Sequence, residues 1–463
     1  MKGIDCPASG PVGFPLGRFE HLHFGIAMPM RLQRTPPIIV SIAIICNCVG
    51  AAPDDNNMRA THYDETKVPE YTLPDPLVMA DGSPVATSKQ WFEQRRPELL
   101  ELFREHVYGR SPGRPEGQRF ELLEQTDDAL GGRANRKQVR IHLSSDPAAP
   151  TITLLIYTPK GVEGPRPAFM GGNFNGNHTI HSDPGIIITE EWDWDRETQT
   201  EELVEPGDDT RGRSSHRWPL QTILDRGYAV VTFARADVEP DYATGWRHGV
   251  RGYYLEKRGR DAFADDDWGA IAAWAWTLSR ALDYLRTDSE IDGDRVAVFG
   301  HSRFGKTALW AAAEDERFAM AISNNSGAGG AALSRRCFGE TVAVLNQRFP
   351  HWFCDNFARY NDKEHALPID QHQLLALVAP RPVYVASATE NPWADPRGEF
   401  LAAKAASPVY ELLGRPGLRT DTWPDPEQPV GETIGYHLRS GKHDLTEYDW
   451  QRFLDFADRH LRR

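Results

Sequence analysis

The chain has 463 residues, of which 40% are hydrophobic and 25% charged, and a formal net charge of −14 at pH 7. That length is enough for one large domain or two smaller ones, and an acidic balance without a basic run argues against nucleic acid as a partner. The 13 tryptophans and 14 tyrosines supply flat apolar surface for a core, and also for a cleft that stacks sugar or aryl rings.

Near the amino end, Arg31–Ala52 has the make-up of a secretory signal: two arginines, the apolar run Ile38–Ile45, then Val49, Gly50 and Ala51. The run is too short to span a bilayer comfortably. The expected layout is a leader and signal peptide over 1–52, a linker over 53–74 rich in Asp, Asn and Pro, and one catalytic domain over 75–463. Secretion or a periplasmic location follows, with no stable membrane span once the signal is removed. Cys6, Cys46 and Cys48 fall in the leader. Cys337 and Cys354 remain, to pair in an oxidising compartment or to stay as buried thiols. Neither has metal-ligand spacing with a histidine cluster, so no zinc site is expected; no cofactor is expected either.

Ser88–Tyr108 has apolar residues at helical spacing, with an interruption expected at Pro97. Gln138–Leu143 and Thr151–Tyr157 read as strands of an opening meander. Arg166–Met170 reads as a strand running into Gly171-Gly172-Asn173-Phe174-Asn175-Gly176-Asn177, a glycine-rich loop suited to an oxyanion-hole amide. Ile186–Arg217 is acidic and irregular, and reads as an insertion over the active face. A helix Pro219–Arg226, a strand Tyr228–Phe233 and a long helix Asp267–Leu285 lead to the apolar run Val296–Phe299. Strands Phe318–Ser323, Pro382–Ser387 and Thr433–Leu438 follow, with a helix Asp370–Val378 and a closing helix Glu447–Leu461. Strands alternating with helices imply a doubly wound, mostly parallel sheet between helical layers, a three-layer αβα sandwich.

Gly300-His301-Ser302-Arg303-Phe304-Gly305 joins a buried strand to the helix-forming run Lys306–Ala313. A serine at such a turn projects its hydroxyl toward a base, and the helix N-terminus beneath favours negative charge on the group attacked. The usual hydrolase pattern is G-x-S-x-G, and here the second glycine comes one place later, so by itself the stretch also fits an ordinary βα turn. In α/β-hydrolases the triad order is serine, acid, histidine. His443 lies between the last strand and the closing helix, where the base belongs. The loop after strand Pro382–Ser387 offers Glu390, Asn391 and Asp395 around Trp393.

These residues carry a resemblance. G-x-S-R-x-G-K followed by Ser326-Gly327-Ala328-Gly329-Gly330, together with Phe349–Cys354, Ala379–Pro382 and Trp393–Phe400, is similar to the bacterial glucuronoyl esterases of carbohydrate esterase family 15 from about Leu73 onward. The resemblance implies an α/β-hydrolase that cleaves 4-O-methyl-glucuronoyl esters of xylan or lignin-carbohydrate complexes without a metal; a monomer is expected. It implies Ser302 as nucleophile, His443 as base and Arg303 as oxyanion stabiliser. Lys306, Glu340 and Trp393 match residues that hold the uronate ring.

The acid departs from the family. At the two places from which the family draws it, this chain has Asn325 and Asn391, neutral amides that cannot offset an imidazolium charge. Glu390 is the expected replacement, with Asp395 next. A carbohydrate esterase or deacetylase without uronate selectivity competes as a reading, but a deacetylase has no need for Arg303, Lys306, Glu340 and Trp393 together. So does a uronate-binding pseudoenzyme with a degenerate triad, supported by Asn325 and Asn391 and opposed by the intact serine, histidine and arginine.

Overall fold

The computed structural model describes residues 61–462. The expected leader and signal segment, and the start of the expected linker, lie outside the described residues. The strands are β1 (Arg119–Ala129), β2 (Ala134–His142), β3 (Thr151–Pro159), β4 (Arg166–Asn173), β5 (Glu191–Asp195), β6 (Thr200–Val204), β7 (Ala229–Ala234), β8 (Ile291–His301), β9 (Met320–Asn324), β10 (Val383–Ala388), β11 (Val430–Gly431) and β12 (Ile434–Arg439). Ten of them form one sheet in the order β1-β2-β3-β7-β4-β8-β9-β10-β12-β11. β1, β2, β3 and β7 pair antiparallel, as do β11 and β12. From β7 to β12 the remaining pairs are parallel.

The apolar run in β8 is continuous because both faces of the sheet are covered. Val296 and Val298 face one core with Trp274, Leu278 and Leu309. Ala297 and Phe299 face the other with Trp450 and Phe453. Successive residues take opposite faces, and each large side chain so buried contributes about 1.5–3 kcal/mol.

The helix Ala270–Leu285 is buried except at Tyr284. Its first turn is tied to the 351–352 loop: the Ala270 and Ile271 N–H groups donate to the His351 and Trp352 carbonyls at 2.8 and 3.1 Å. Helix-start donors that would otherwise lack partners thereby fix residues 351–352.

Three local features differ from the expectation. β1 carries no strand pattern, since Glu121, Glu124, Asp127 and Asp128 break any apolar alternation; such charge suits an edge strand. Helical turns continue through Pro97 as Ser88–Gln90, Trp91–Arg95, Arg96–Phe103 and Arg104–Tyr108, the second and fourth being π-turns. Pro97 sits in the first turn of the third segment, directly after the wider π-turn, where the proline ring is tolerated. The 186–217 insertion contains the β5–β6 hairpin.

Residues 61–74 lie against the catalytic body. Glu65 pairs with Arg336 at 2.7 Å and Arg397 at 3.3 Å, and the Gly339 N–H donates to the His62 carbonyl. Cys337 and Cys354 are buried and do not pair with each other; burial pushes the Cys354 thiol up to about 12.

Candidate active site

Ser302 directly follows β8 at φ 57°, ψ −126°, a strained conformation for a residue with a side chain, of the kind that clusters at functional sites. Its N–H donates to the Asn324 carbonyl at 2.8 Å, and the helix Arg303–Glu314 starts at once. The turn is tight enough that a Cβ on Gly300 would lie 1.9 Å from the Phe304 carbonyl oxygen. The displaced second glycine has a physical cause. A Cβ on Gly305 would meet Ser326 Cβ at 2.9 Å and Ser323 Oγ at 3.1 Å, so glycine lets the helix close on the β9 end. Phe304, at the usual glycine place, finds room because Gly172 opposite has no side chain; a Cβ there would lie 2.3 Å from its ring.

Arg303 is held from several sides. Its guanidinium pairs with Asp241, whose side chain is fully buried, and Arg235 reaches the same carboxylate at 2.7 Å. His351 Nε2 and Trp352 Nε1 meet the other oxygen at 2.9 and 2.8 Å. Burial alone would raise the Asp241 pKa; the Arg303 charge, the His351 hydrogen bond and Arg235 hold it well below the usual carboxylate range. The guanidinium also lies 4.8 Å from the Trp352 ring centre and 5.7 Å from those of Phe174 and Phe349. Asp241 escaped the sequence reading, because a lone carboxylate in a loop carries no pattern.

Lys306 and Glu340 come together, with Trp393 beside them. Lys306 is 2% exposed, and its Nζ donates to the Ser326 and Ala328 carbonyls at 2.5 and 2.6 Å and to Glu340 Oε2 at 2.8 Å. All three donors are engaged, and through one of them Lys306 holds Glu340 in place. Burial lowers its pKa, and Glu340 opposes that shift. Glu340 Oε1 accepts from Trp393 Nε1 at 3.1 Å. Below them Glu399 Oε1 accepts from the Ser326 and Gly327 N–H groups at 2.8 and 3.0 Å, shaping the loop; burial raises its carboxyl to about 7.

His443 lies over His301, ring centres 4.6 Å apart. Its Nδ1 is 2.9 Å from Asn391 Nδ2, and this corrects the expected acid. Glu390 is exposed, its N–H is tied to the Gly441 carbonyl, and its side chain makes no hydrogen bond or ion pair with any described residue. The short turn beginning at Pro392 aims Asn391, not its neighbour, at the histidine. Asp395 is also ruled out: it caps the helix Pro396–Ala405 and pairs with Arg336 at 2.7 Å. Asp444, next to the base, is taken by Arg217 at 2.7 Å. Desolvation first, then the positive Arg217, Lys306 and Arg303, lowers the His443 pKa to about 4; Asp444 opposes this weakly.

Beside Asp241 opens a pocket of about 320 Å³ lined by Trp194, Tyr242, Arg348, Phe349, Pro350 and His351. The β5–β6 hairpin forms one wall and is pinned by Trp192 stacking on His248 at 3.8 Å. Among the described residues no cluster of three or more His, Cys, Asp or Glu is placed to hold a metal ion, and no helix is long and apolar enough to cross a membrane.

Residues 216–414 match the family model described as glucuronyl esterase, fungi. The chain is 48% identical over 436 residues to carbohydrate esterase MZ0003 from an unknown prokaryotic organism, covering 93% of this chain and 99% of that one. A solved glucuronoyl esterase from Solibacter usitatus is 47% identical with a TM-score of 0.81, covering 85% of this chain and 99% of that chain. A promiscuous CE15 esterase from a marine bacterial metagenome is 49% identical with a TM-score of 0.79, covering 87% of this chain and 100% of that chain.

Proposed function

The chain belongs to the glucuronoyl esterases of carbohydrate esterase family 15, and from that premise we propose how its cleft cleaves a uronate ester. The protein is a carboxylic ester hydrolase with an α/β-hydrolase fold, and its substrates are uronate esters. Ser302 Oγ attacks the ester carbonyl of a 4-O-methyl-glucuronoyl group while His443 takes its proton. The Arg303 guanidinium and the free N–H at the start of its helix meet the charge that develops on the carbonyl oxygen. The alcohol leaves with a proton from His443, and water then hydrolyses the acyl-enzyme. Glu340, held in place by Lys306 and by the Trp393 indole N–H, accepts from the sugar hydroxyls.

The observation that carries this reading is the immobilised guanidinium beside a strained serine. A donor fixed before the reaction stabilises the transition state more than the ground state. The aromatic lining of the pocket beside Asp241 suits an aryl alcohol, as in lignin esters of glucuronoxylan. Such a polymer cannot enter a cell, which favours action in the periplasm or outside, with the 31–52 segment as the export signal. Every residue in the scheme comes from one chain, so a monomer suffices.

A second reading, uronate binding without turnover, is favoured by Asn391 standing where a carboxylate would support the base. Release of benzyl alcohol from benzyl glucuronate separates the two: turnover is expected, and tight uronate binding without release would establish the binder instead. The pH profile tests the base. Protonation inactivates His443, so a pKa of about 4 predicts that kcat/KM stays flat from pH 8 to about pH 5 and falls only as pH drops through that value. A falling limb near pH 6.5 would show an imidazolium supported by some other group.

A further inference from the structure

The base is joined to the closing helix Glu447–Leu461 by a row of side-chain amides. Asp449, wholly buried, caps that helix: its Oδ2 accepts from the Thr446 N–H at 2.7 Å and Arg439 Nε at 2.8 Å. Its Oδ1 lies 2.9 Å from His437 Nε2 and 3.1 Å from Asn324 Nδ2. Burial opposes its charge, but the His437 hydrogen bond and the Arg439 charge keep it below the usual range. An ionised carboxylate only accepts, so Asn324 must turn its NH₂ toward Asp449. Its Oδ1 is then left for His301 Nδ1 at 2.6 Å and Asn325 Nδ2 at 3.0 Å. Asn325 Nδ2 also points at the Asp444 carbonyl, 3.3 Å away, a second group that only accepts. With that amide oriented, Asn325 Oδ1 accepts from Asn391 Nδ2 at 3.0 Å, and the same nitrogen faces His443 Nδ1 at 2.9 Å.

Two acceptor-only anchors therefore set the direction of the whole row. Every amide donates toward Asp449, and the end of the row presents an N–H to the histidine. We propose that Asn391 is a positioning residue that stores the His443 ring proton on Nε2 in the resting enzyme, so that turnover passes through a minor form in which this amide has turned over. The proposal rests on His443 being the base. A neutral imidazole carries one proton, and a nitrogen that accepts from Asn391 cannot hold it. The proton then occupies Nε2, the nitrogen on which a base for Ser302 needs a lone pair. Moving it to Nδ1 requires Asn391 to rotate and oppose its oxygen to Asn325 Oδ1. A triad whose carboxylate is changed to an amide loses about 10⁴ in kcat for this reason.

Selective ¹⁵N labelling of histidine in the full chain, read by long-range nitrogen–proton NMR at pH 7, shows which ring nitrogen of His443 bears the proton. A proton on Nε2 is expected, and a proton on Nδ1 overturns the inference whatever the activity. Asn391→Asp should move the proton to Nδ1 and raise kcat on benzyl glucuronate at least about tenfold with KM within about twofold, a fraction of the tautomer penalty because Asn325 Oδ1 still faces the new carboxylate. An unchanged or lower kcat in a variant that melts like the wild type also overturns it. Failure of the esterase reading looks different: neither wild type nor variant releases alcohol, while the NMR still reports the tautomer.

Discussion

Ser302→Ala lowers kcat on benzyl glucuronate by about 10⁴-fold and leaves binding of free glucuronate within about twofold. Removing the serine of a fully supported triad costs about 10⁶; the smaller loss expected here reflects a base that starts without a carboxylate. Binding is expected to persist because the Glu340 contacts with Trp393 and Lys306, proposed to hold the sugar, do not depend on the hydroxyl. The strained φ of 57° is shared by alanine and serine, so the fold bears the same local strain in both. The measurement pairs steady-state release of benzyl alcohol with calorimetric titration of glucuronate. Turnover above about a hundredth of wild type would mean that Ser302 is not the nucleophile.

Asp241→Asn lowers kcat by about 10²-fold, the scale of losing one oxyanion donor, and destabilises the protein by about 3 kcal/mol, the lower end for breaking a buried ion pair. The carboxylate is fully buried between Arg303 and Arg235. Asparagine keeps one acceptor for His351 or Trp352 but leaves two guanidinium groups without a counter-charge. Arg303 then swings on its long side chain, and the donor aimed at the oxyanion loses its fixed place. KM should change little, because Asp241 does not touch the sugar clamp. Kinetics on benzyl glucuronate and the urea midpoint read the two effects separately. An unchanged kcat with a lowered midpoint would show that the rings of Trp352, Phe174 and Phe349 hold the guanidinium by themselves.

Glu390 shows how a correct region can yield a wrong residue. The loop after β10 does supply the partner of His443, as triad order requires. Which of two adjacent side chains points inward depends on the backbone, and that is set by the Glu390 N–H bond to Gly441 and the turn that starts at Pro392. The first contact is not local: Gly441 lies on the loop beyond β12.

The sequence by itself determined the parts governed by short-range periodicity and turn chemistry. The buried run Val296–Phe299, the Ser302 turn, the closing helix and the loop bearing His443 all follow from residues within a few positions of one another. Their order along the chain then restricts the sheet to a mostly parallel one with helices on both faces. Only the tertiary structure decided the groups that tune the chemistry. Asp241 meets Arg303 across 62 residues, and Asn391 meets Asn325 and His443 across 66 and 52. Lys306 is buried because Ser326, Ala328 and Glu340 close around it. A buried charge or amide takes its role from the partners that replace water, and here those partners arrive from distant strands and loops, leaving no spacing in the chain to read.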